Sequence, residues 1–339
     1  MSASHDETPD GADVEVRRRD PRTRRRARIV TAVGLAFAAG GLAFVLQRIG
    51  ETWDETGPLL RNADPGWLTG ALVVAALGMT AIAVPWVRVV DVMGGRLTPR
   101  RAIVLYYVGE IGKYLPGGIW PVVGRGELAA RTGMRRTVAY SSVLFSLAAL
   151  YLAALLLAAG LLPFVLASGG SSPAPALLLL LVPLGLALLH PTVLGAILSV
   201  VQRVTRRELD LELQPWPTMV GLVVIYVPAW LLIGTATWAV TEALSSPVGW
   251  VEICFATTLS WSAGFLVAPA PGGVGIREAV FVAVAASLTS GVAAAVALCA
   301  RLLFMVVDAV GAAVCSLLLG TPRRTIRDRG RGPGLDRSS

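Results

Sequence analysis

Residues 102–124 read AIVLYYVGEIGKYLPGGIWPVVG. They begin after Arg100 and Arg101 and end before Arg125, Arg131, Arg135 and Arg136. In short loops of a membrane protein, Lys and Arg collect on the cytoplasmic side. Both flanks therefore belong inside, and a single crossing cannot return to its own side. Pro116-Gly117-Gly118 lies mid-segment, where Pro breaks a helix and Gly permits a reversal. The stretch reads as a re-entrant hairpin that enters from the cytoplasm and turns back. Irregular backbone survives at membrane depth only where protein buries it or water lines it. The hairpin tip is thus a place to look for function.

The rest of the chain agrees with a membrane setting. Of 339 residues, 55% are hydrophobic and 15% charged, where soluble domains run near a quarter charged. No charged residue occurs in 29–46 or in 168–199, and about 20 apolar residues in a helix cross the hydrocarbon core. The polar remainder is too small for a separate soluble catalytic domain. The net charge of +8 rests on 29 arginines and one lysine, Lys113, against 22 acids. In a soluble protein that excess would suggest nucleic acid. Here the arginines crowd the membrane edges, so they mark topology, and no nucleic-acid partner is expected. The N-terminus lacks the short basic region and brief apolar core of a secretory signal. Eight arginines between Arg17 and Arg28 form instead a cytoplasmic tail ahead of a retained span.

Charge serves as the compass along the chain. Span one is 29–46, loop 47–66 lies outside, and span two is 67–90. Hairpin one follows, then span three at 138–166 and the uncharged outer loop 168–173. Span four, 174–189, ends at His190-Pro191. Arg203, Arg206 and Arg207 put the next loop inside. Span five is 218–240, with a kink suggested at Pro228. The last span, 292–319, ends inside, because Arg323, Arg324, Arg327, Arg329 and Arg331 follow. Between spans five and six, an apolar arm at 250–268 meets Pro269-Ala270-Pro271-Gly272-Gly273, and Arg277-Glu278 opens a second arm. This is a second hairpin, entering from outside. Two full crossings, with Arg277 at the inner face, are the alternative, and the short second arm disfavours them.

The order span, span, hairpin, span now occurs twice with opposite polarity, in 29–166 and in 174–319. The expected fold is an all-α integral membrane protein of about six transmembrane helices and two opposed re-entrant hairpins, in an inverted-topology repeat. Arg-rich cytoplasmic tails, 1–28 and 320–339, flank the membrane domain 29–319. Transporters commonly use such repeats and hold substrate between broken helices near the midplane.

Ionisable groups at membrane depth are costly, so each needs a reason. Glu110 and Lys113 are three apart on the first arm of hairpin one, on one helix face. They read either as a structural ion pair or as a phosphate-binding cation with its counter-charge. Arg125 and Glu127 follow hairpin one, and Arg277 and Glu278 follow the tip of hairpin two. Arginine holds phosphate bidentately, although Arg125 at a basic edge also reads as a topology marker. Arg301 and Asp308 are seven apart in the last span and share a face, as an intrahelical-bundle pair or as cavity lining. Trp120, Trp250 and Trp261 read as belt or packing residues. The binding candidates are thus Lys113, Arg277, Arg301 and Arg125. Glu110, Asp308, Glu278 and Glu127 balance charge, and Pro116, Gly117, Gly118, Pro271, Gly272 and Gly273 form the tips. Three cysteines and two histidines show no metal-ligand spacing, and no Walker loop, HExxH or GxSxG occurs. No metal, cofactor or catalytic residue is expected.

The segments YYVGEIGKYLPGGIWPVVGRGELAARTGM and APAPGGVGIREAVF resemble the two signature regions of the lysylphosphatidylglycerol synthase transmembrane-region family. That family is the flippase-like membrane half of the multiple peptide resistance factor, and it also occurs as stand-alone proteins. The resemblance covers roughly 29–319. It implies movement of lipids with phosphate headgroups between leaflets, either aminoacyl-phospholipids or polyprenyl-phosphate-linked lipids. No aminoacyl-transferase domain follows Leu319, so a synthase activity is not expected. The alternative is a non-transporting membrane subunit or regulator of cell-envelope glycan or lipid synthesis, partnered by a biosynthetic enzyme. The expected location is the inner membrane, with both termini cytoplasmic.

The hairpin makes a direct statement about access. Single cysteines at Ala102 and Gly126, in a cysteine-free background, should both react with impermeant reagent from the cytoplasm and not from outside. Labelling from opposite faces would remove hairpin one and the inverted repeat with it.

Overall fold

The computed structural model describes residues 53–114, 119–167, 180–193, 195, 196, 199, 214–244, 248–266, 273 and 275–320. Span one, both tails, loop 168–173, the first residues of span four and the tip residues Pro116, Gly117, Gly118, Pro271 and Gly272 lie outside them. Among the described residues the chain is all helical. Helix α1 is Trp53–Arg61, α2 Pro65–Ala83, α3 Pro85–Val92 and α4 Pro99–Glu110, which runs into a 3₁₀ turn at Ile111–Tyr114. Next come α5 Trp120–Ala130, α6 Arg136–Ala167, α7 Leu181–Leu188, α8 Trp216–Val224 and α9 Val227–Ala243. The last three are α10 Trp250–Leu266, α11 Ile276–Val284 and α12 Ser290–Gly320. Four stretches are long and apolar enough to cross a membrane: Pro65–Val92, Arg136–Ala167, Trp216–Ala243 and Ser290–Leu318. This is an all-α membrane protein.

Local chemistry fixes the helix starts. Asp64 Oδ1 accepts the N–H groups of Gly66 and Trp67 at 2.6 and 3.3 Å, with Pro65 at the first helical position. Thr98 Oγ1 accepts from Arg101 N at 3.4 Å, with Pro99 in the same role. Side-chain caps with Pro at N1 satisfy donors that a helix start leaves open. Pro also divides two spans. Pro85 separates α2 from α3, and Pro228 lies in the first turn of α9, just past the break that ends α8. The kink expected at Pro228 is therefore present, and Pro85 adds one in span two. Along α12, Val306, Val310, Val314 and Leu317 are exposed, while Phe304, Val307, Asp308 and Cys315 are buried. A valine stripe exposed on so long a helix is the face a bilayer covers.

Side-chain pairs give the relative directions. Asp64 N donates to Ala243 O, Trp67 meets Trp238 edge to face, and Gly78 lies against Ile233. Rising numbers on α2 meet falling numbers on α9, so the two helices are antiparallel. Ser146 bonds Tyr226, and Trp230 Nε1 donates to Leu150 O at 2.6 Å, so α6 runs parallel to α8–α9. Tyr107 packs over Gly311 while Lys113 reaches Asp308, so α4 is antiparallel to α12.

Each Pro-Gly-Gly segment joins two arms that fold back on one another. In the first, Gly109 faces Arg125, and Gly112 faces Trp120 and Pro121. In the second, Gly264 faces Arg277 and Gly273. The Glu252 carboxylate, at the start of α10, accepts Ser287 N at 2.9 Å and Ser287 Oγ at 2.5 Å, just beyond α11. The outer ends of the second hairpin are thereby tied together. The helix pairings come in matched sets. First arm α4 packs on α12, and first arm α10 packs on α6; second arms α5 and α11 pack on α6 and α12 in turn.

At Gly109 and Gly264 a Cβ would collide with Arg125 and Arg277. Gly109→Val and Gly264→Val should each cost roughly 1–3 kcal/mol through overpacking. Gly160, in α6, has open space where a Cβ would stand, with nothing within 4 Å, so Gly160→Ala should be neutral or slightly stabilising. Thermal unfolding in detergent micelles measures the difference.

Candidate functional site

Both hairpins deliver charge to the middle of one helix. Lys113, in the 3₁₀ turn that ends the first arm of hairpin one, sets Nζ at 2.6 Å from Asp308 Oδ2 and 3.5 Å from Glu110 Oε1. The Tyr114 hydroxyl donates to the same Asp308 oxygen at 2.6 Å. On hairpin two, Glu278 Oε2 accepts Gly275 N at 2.7 Å and caps α11, while its Oε1 accepts from Arg301 Nη1 at 2.5 Å. Gly275 has φ +84 and Gly273 has φ +69, conformations that favour glycine. α12 thus meets hairpin one through its acid and hairpin two through its base. Arg301 and Asp308 share a face, as their spacing predicts, but each bonds a different hairpin.

Arg277 is held differently. Its Cζ lies 3.5 Å from the centre of the Trp261 ring, a cation–π contact. Among the described residues no carboxylate forms a salt bridge with it. Its stem packs on Gly264, and Trp261 is itself wedged between Trp230 and Phe304. The side chains enclose an open cavity with empty space of about 580 Å³, mouth included. Lys113, Arg277 and Arg301 line it against Glu278 and Asp308, with Thr257, Ser260 and Trp261 among the neutral residues. The lining carries three cations and two carboxylates, and so keeps a surplus of positive charge. Asp308 is fully buried, and its Oδ1 has no hydrogen-bond partner among the described residues.

Three of the four binding candidates therefore come together in one wall. Arg125 stands behind it, 2% exposed, over the Tyr106 ring and 4.0 Å from Glu110 Oε2, with Nε donating to Pro121 O. It backs Glu110 and does not line the cavity. Glu127 turns outward to Arg131 and Arg136, both at 3.5 Å, away from the site. Trp261, read from sequence as belt or packing, is the platform beneath Arg277. Tyr114 joins the site although sequence reasoning does not single it out; its place next to the lone lysine is the available signal. The closest acid to Lys113 is Asp308 and not Glu110, a contact across the two halves of the chain.

A membrane-embedded helical protein, with an open cavity lined by more cations than carboxylates beside two helical hairpins, is the class that fold and site define. The chain belongs to the lysylphosphatidylglycerol synthase TM region family, whose model matches residues 31–312. No curated protein sequence matches it.

The two acids of Lys113 are not equivalent. Lys113→Met leaves Asp308 with Tyr114 alone, and a buried carboxylate stripped of its cation costs roughly 3–5 kcal/mol. Asp308→Asn leaves Lys113 with Glu110 and should cost clearly less, and the double variant should recover most of the loss. Chemical or thermal unfolding of the three variants checks that order.

Proposed function

We propose that the protein moves an anionic phosphate-headgroup lipid, an aminoacyl-phospholipid or a polyprenyl-phosphate-linked lipid, between the leaflets of the cytoplasmic membrane. The observation that carries this reading is Arg277. It is a guanidinium braced on an aromatic face, with no carboxylate to neutralise it among the described residues, at the wall of a cavity it shares with Lys113 and Arg301. A guanidinium fork matches phosphate oxygens in pairs. The acyl or prenyl chains stay in the bilayer while the headgroup crosses through the cavity. No chemical conversion of the lipid is involved.

The depth of the site supports this reading. Lys113 meets α12 at Asp308, about 18 Å from the helix's last residue, and Glu278 meets it at Arg301, about 17 Å from its first, at 1.5 Å per residue. Contacts near mid-length of a spanning helix, made by Lys113 just before one Pro-Gly-Gly segment and by Glu278 just after the other, support hairpins that re-enter from opposite sides. That depth favours the hairpin over two full crossings for 250–290. The matched packing of first arms on opposite halves supports an inverted repeat, and the antiparallel and parallel helix pairs agree with cytoplasmic termini. Rocking of one repeat against the other then exposes the cavity to each leaflet in turn.

Translocation of fluorescent phosphate-headgroup lipids by purified protein in vesicles tests the proposal. Wild type should accelerate exchange over empty vesicles, and Arg277→Gln should lower the rate by at least tenfold while the protein stays folded. No acceleration by wild type across the panel favours a non-transporting subunit of envelope synthesis, whereas an unchanged rate in Arg277→Gln removes Arg277 from the lipid's path.

A further inference from the structure

Asp308 is the least exposed charged group in the site, and it is bonded to Lys113. The Nζ of Lys113 is its only cation within salt-bridge distance among the described residues, and Tyr114 donates to the same oxygen, Oδ2. Oδ1 is buried and unpartnered among those residues. Resting on the transport reading above, we propose that this carboxylate is a second binding site of the cavity, for a proton. It fills when a lipid phosphate takes Lys113, so that anion and proton cross together.

The argument is one of competition for a single ammonium. A phosphate in the cavity draws on Lys113, Arg277 and Arg301, which line it together. Arg301 already serves Glu278, and Lys113 already serves Asp308 and Glu110. A carboxylate that loses its cation in an apolar interior takes up a proton in preference to remaining charged. The charged and titratable groups around Asp308 offer no replacement for Lys113. From α4, Glu110 brings a like charge and Tyr106 and Tyr107 neutral phenols, and Arg125 on α5 is turned to Glu110. From α11, Glu278 is bound to Arg301, and Arg277 lies on Trp261. On α12 itself Arg301 is two turns away, and Cys315 is neutral. α2 has no ionisable side chain, α9 has only Glu242 in its last turn, and Arg61 of α1 forms no salt bridge with Asp308 among the described residues. Among the described residues no second cation stands within salt-bridge distance to replace Lys113.

Glu278 does not share this fate. It is partly exposed, it caps α11 through Gly275 N, and it holds Arg301 in a close ion pair. Uptake is thus expected at one carboxylate, with the proton drawn from solvent and carried on the Asp308 oxygen. A lipid with one negative charge then crosses as a neutral assembly, and a pH gradient can drive it.

Phosphatidylglycerol is a suitable probe, because its phosphodiester does not titrate near neutral pH. Binding of micellar phosphatidylglycerol to the purified full chain, measured by calorimetry between about pH 5.5 and 8.5, reads the linkage. In the window where the free protein holds Asp308 ionised and the complex holds it protonated, affinity should fall about tenfold per pH unit, with about one proton taken up per lipid. Asp308→Asn should bind with no pH dependence in that range, and Glu110→Gln should keep the wild-type slope. Affinity independent of pH in wild type overturns the proton site and leaves the phosphate site standing, as does a slope that survives Asp308→Asn or vanishes in Glu110→Gln. If Asp308→Asn does not fold, proton uptake in wild type, compared in two buffers of different ionisation heat, decides alone. Absence of phosphatidylglycerol binding at every pH overturns both readings.

Discussion

An aspartate with no solvent exposure, set near mid-length of a membrane-spanning helix, requires a cation. Lys113 is that cation, and it comes from a segment 195 residues earlier in the chain. The pair fixes how far the first hairpin reaches along α12, which way Tyr114 points, and where the cavity begins. The second hairpin obeys the same rule with the signs exchanged, since Glu278 satisfies Arg301. One helix thereby anchors both hairpins, and the cavity lies beside those two contacts.

Close approach brings the two arms of each hairpin together. Gly109 and Gly264 each sit where the side chain of an arginine on the returning arm passes, so each leaves room between the arms for that stem. At the other end of hairpin two, Glu252 ties α10 to the residue beyond α11. The charged side chains of each hairpin are therefore carried beside a packed pair of helices. That is the condition under which a few charged atoms can keep fixed distances.

Much of this was legible in the sequence because membrane proteins write topology in charge. Basic flanks on both sides of an apolar stretch with Pro-Gly-Gly at its centre required a reversal at 102–124, and Pro228 required a kink. The rarity of charge in apolar runs drew attention to Lys113, Arg277, Arg301 and Asp308, all of which line the cavity. Partnership was not legible. The local spacing of Glu110 and Lys113 suggested a pair within one arm, but the shorter contact runs to Asp308, and no periodicity reports a contact between the two halves of a chain. Arg125 and Glu127 carried the same residue types as Arg277 and Glu278, yet one is buried behind the wall and the other faces outward. The difference arises from which face of α5 packs on α6. Trp261 was ambiguous for a further reason: belt, core and cation platform all require the same side chain.

The stacking of Arg277 on Trp261 has an electrical consequence. Pairing a buried cation with an acid cancels its field, whereas an aromatic face holds the cation in place and leaves its long-range field largely intact. The wall of the cavity, with three cations against two carboxylates, therefore carries a positive excess centred on Arg277. Such an excess attracts anions toward the cavity and repels sodium, potassium and other free cations from it. If the cavity opens by turns to the two faces of the membrane, as proposed above, it admits a negatively charged headgroup without becoming a leak for the cations whose gradients that membrane must maintain.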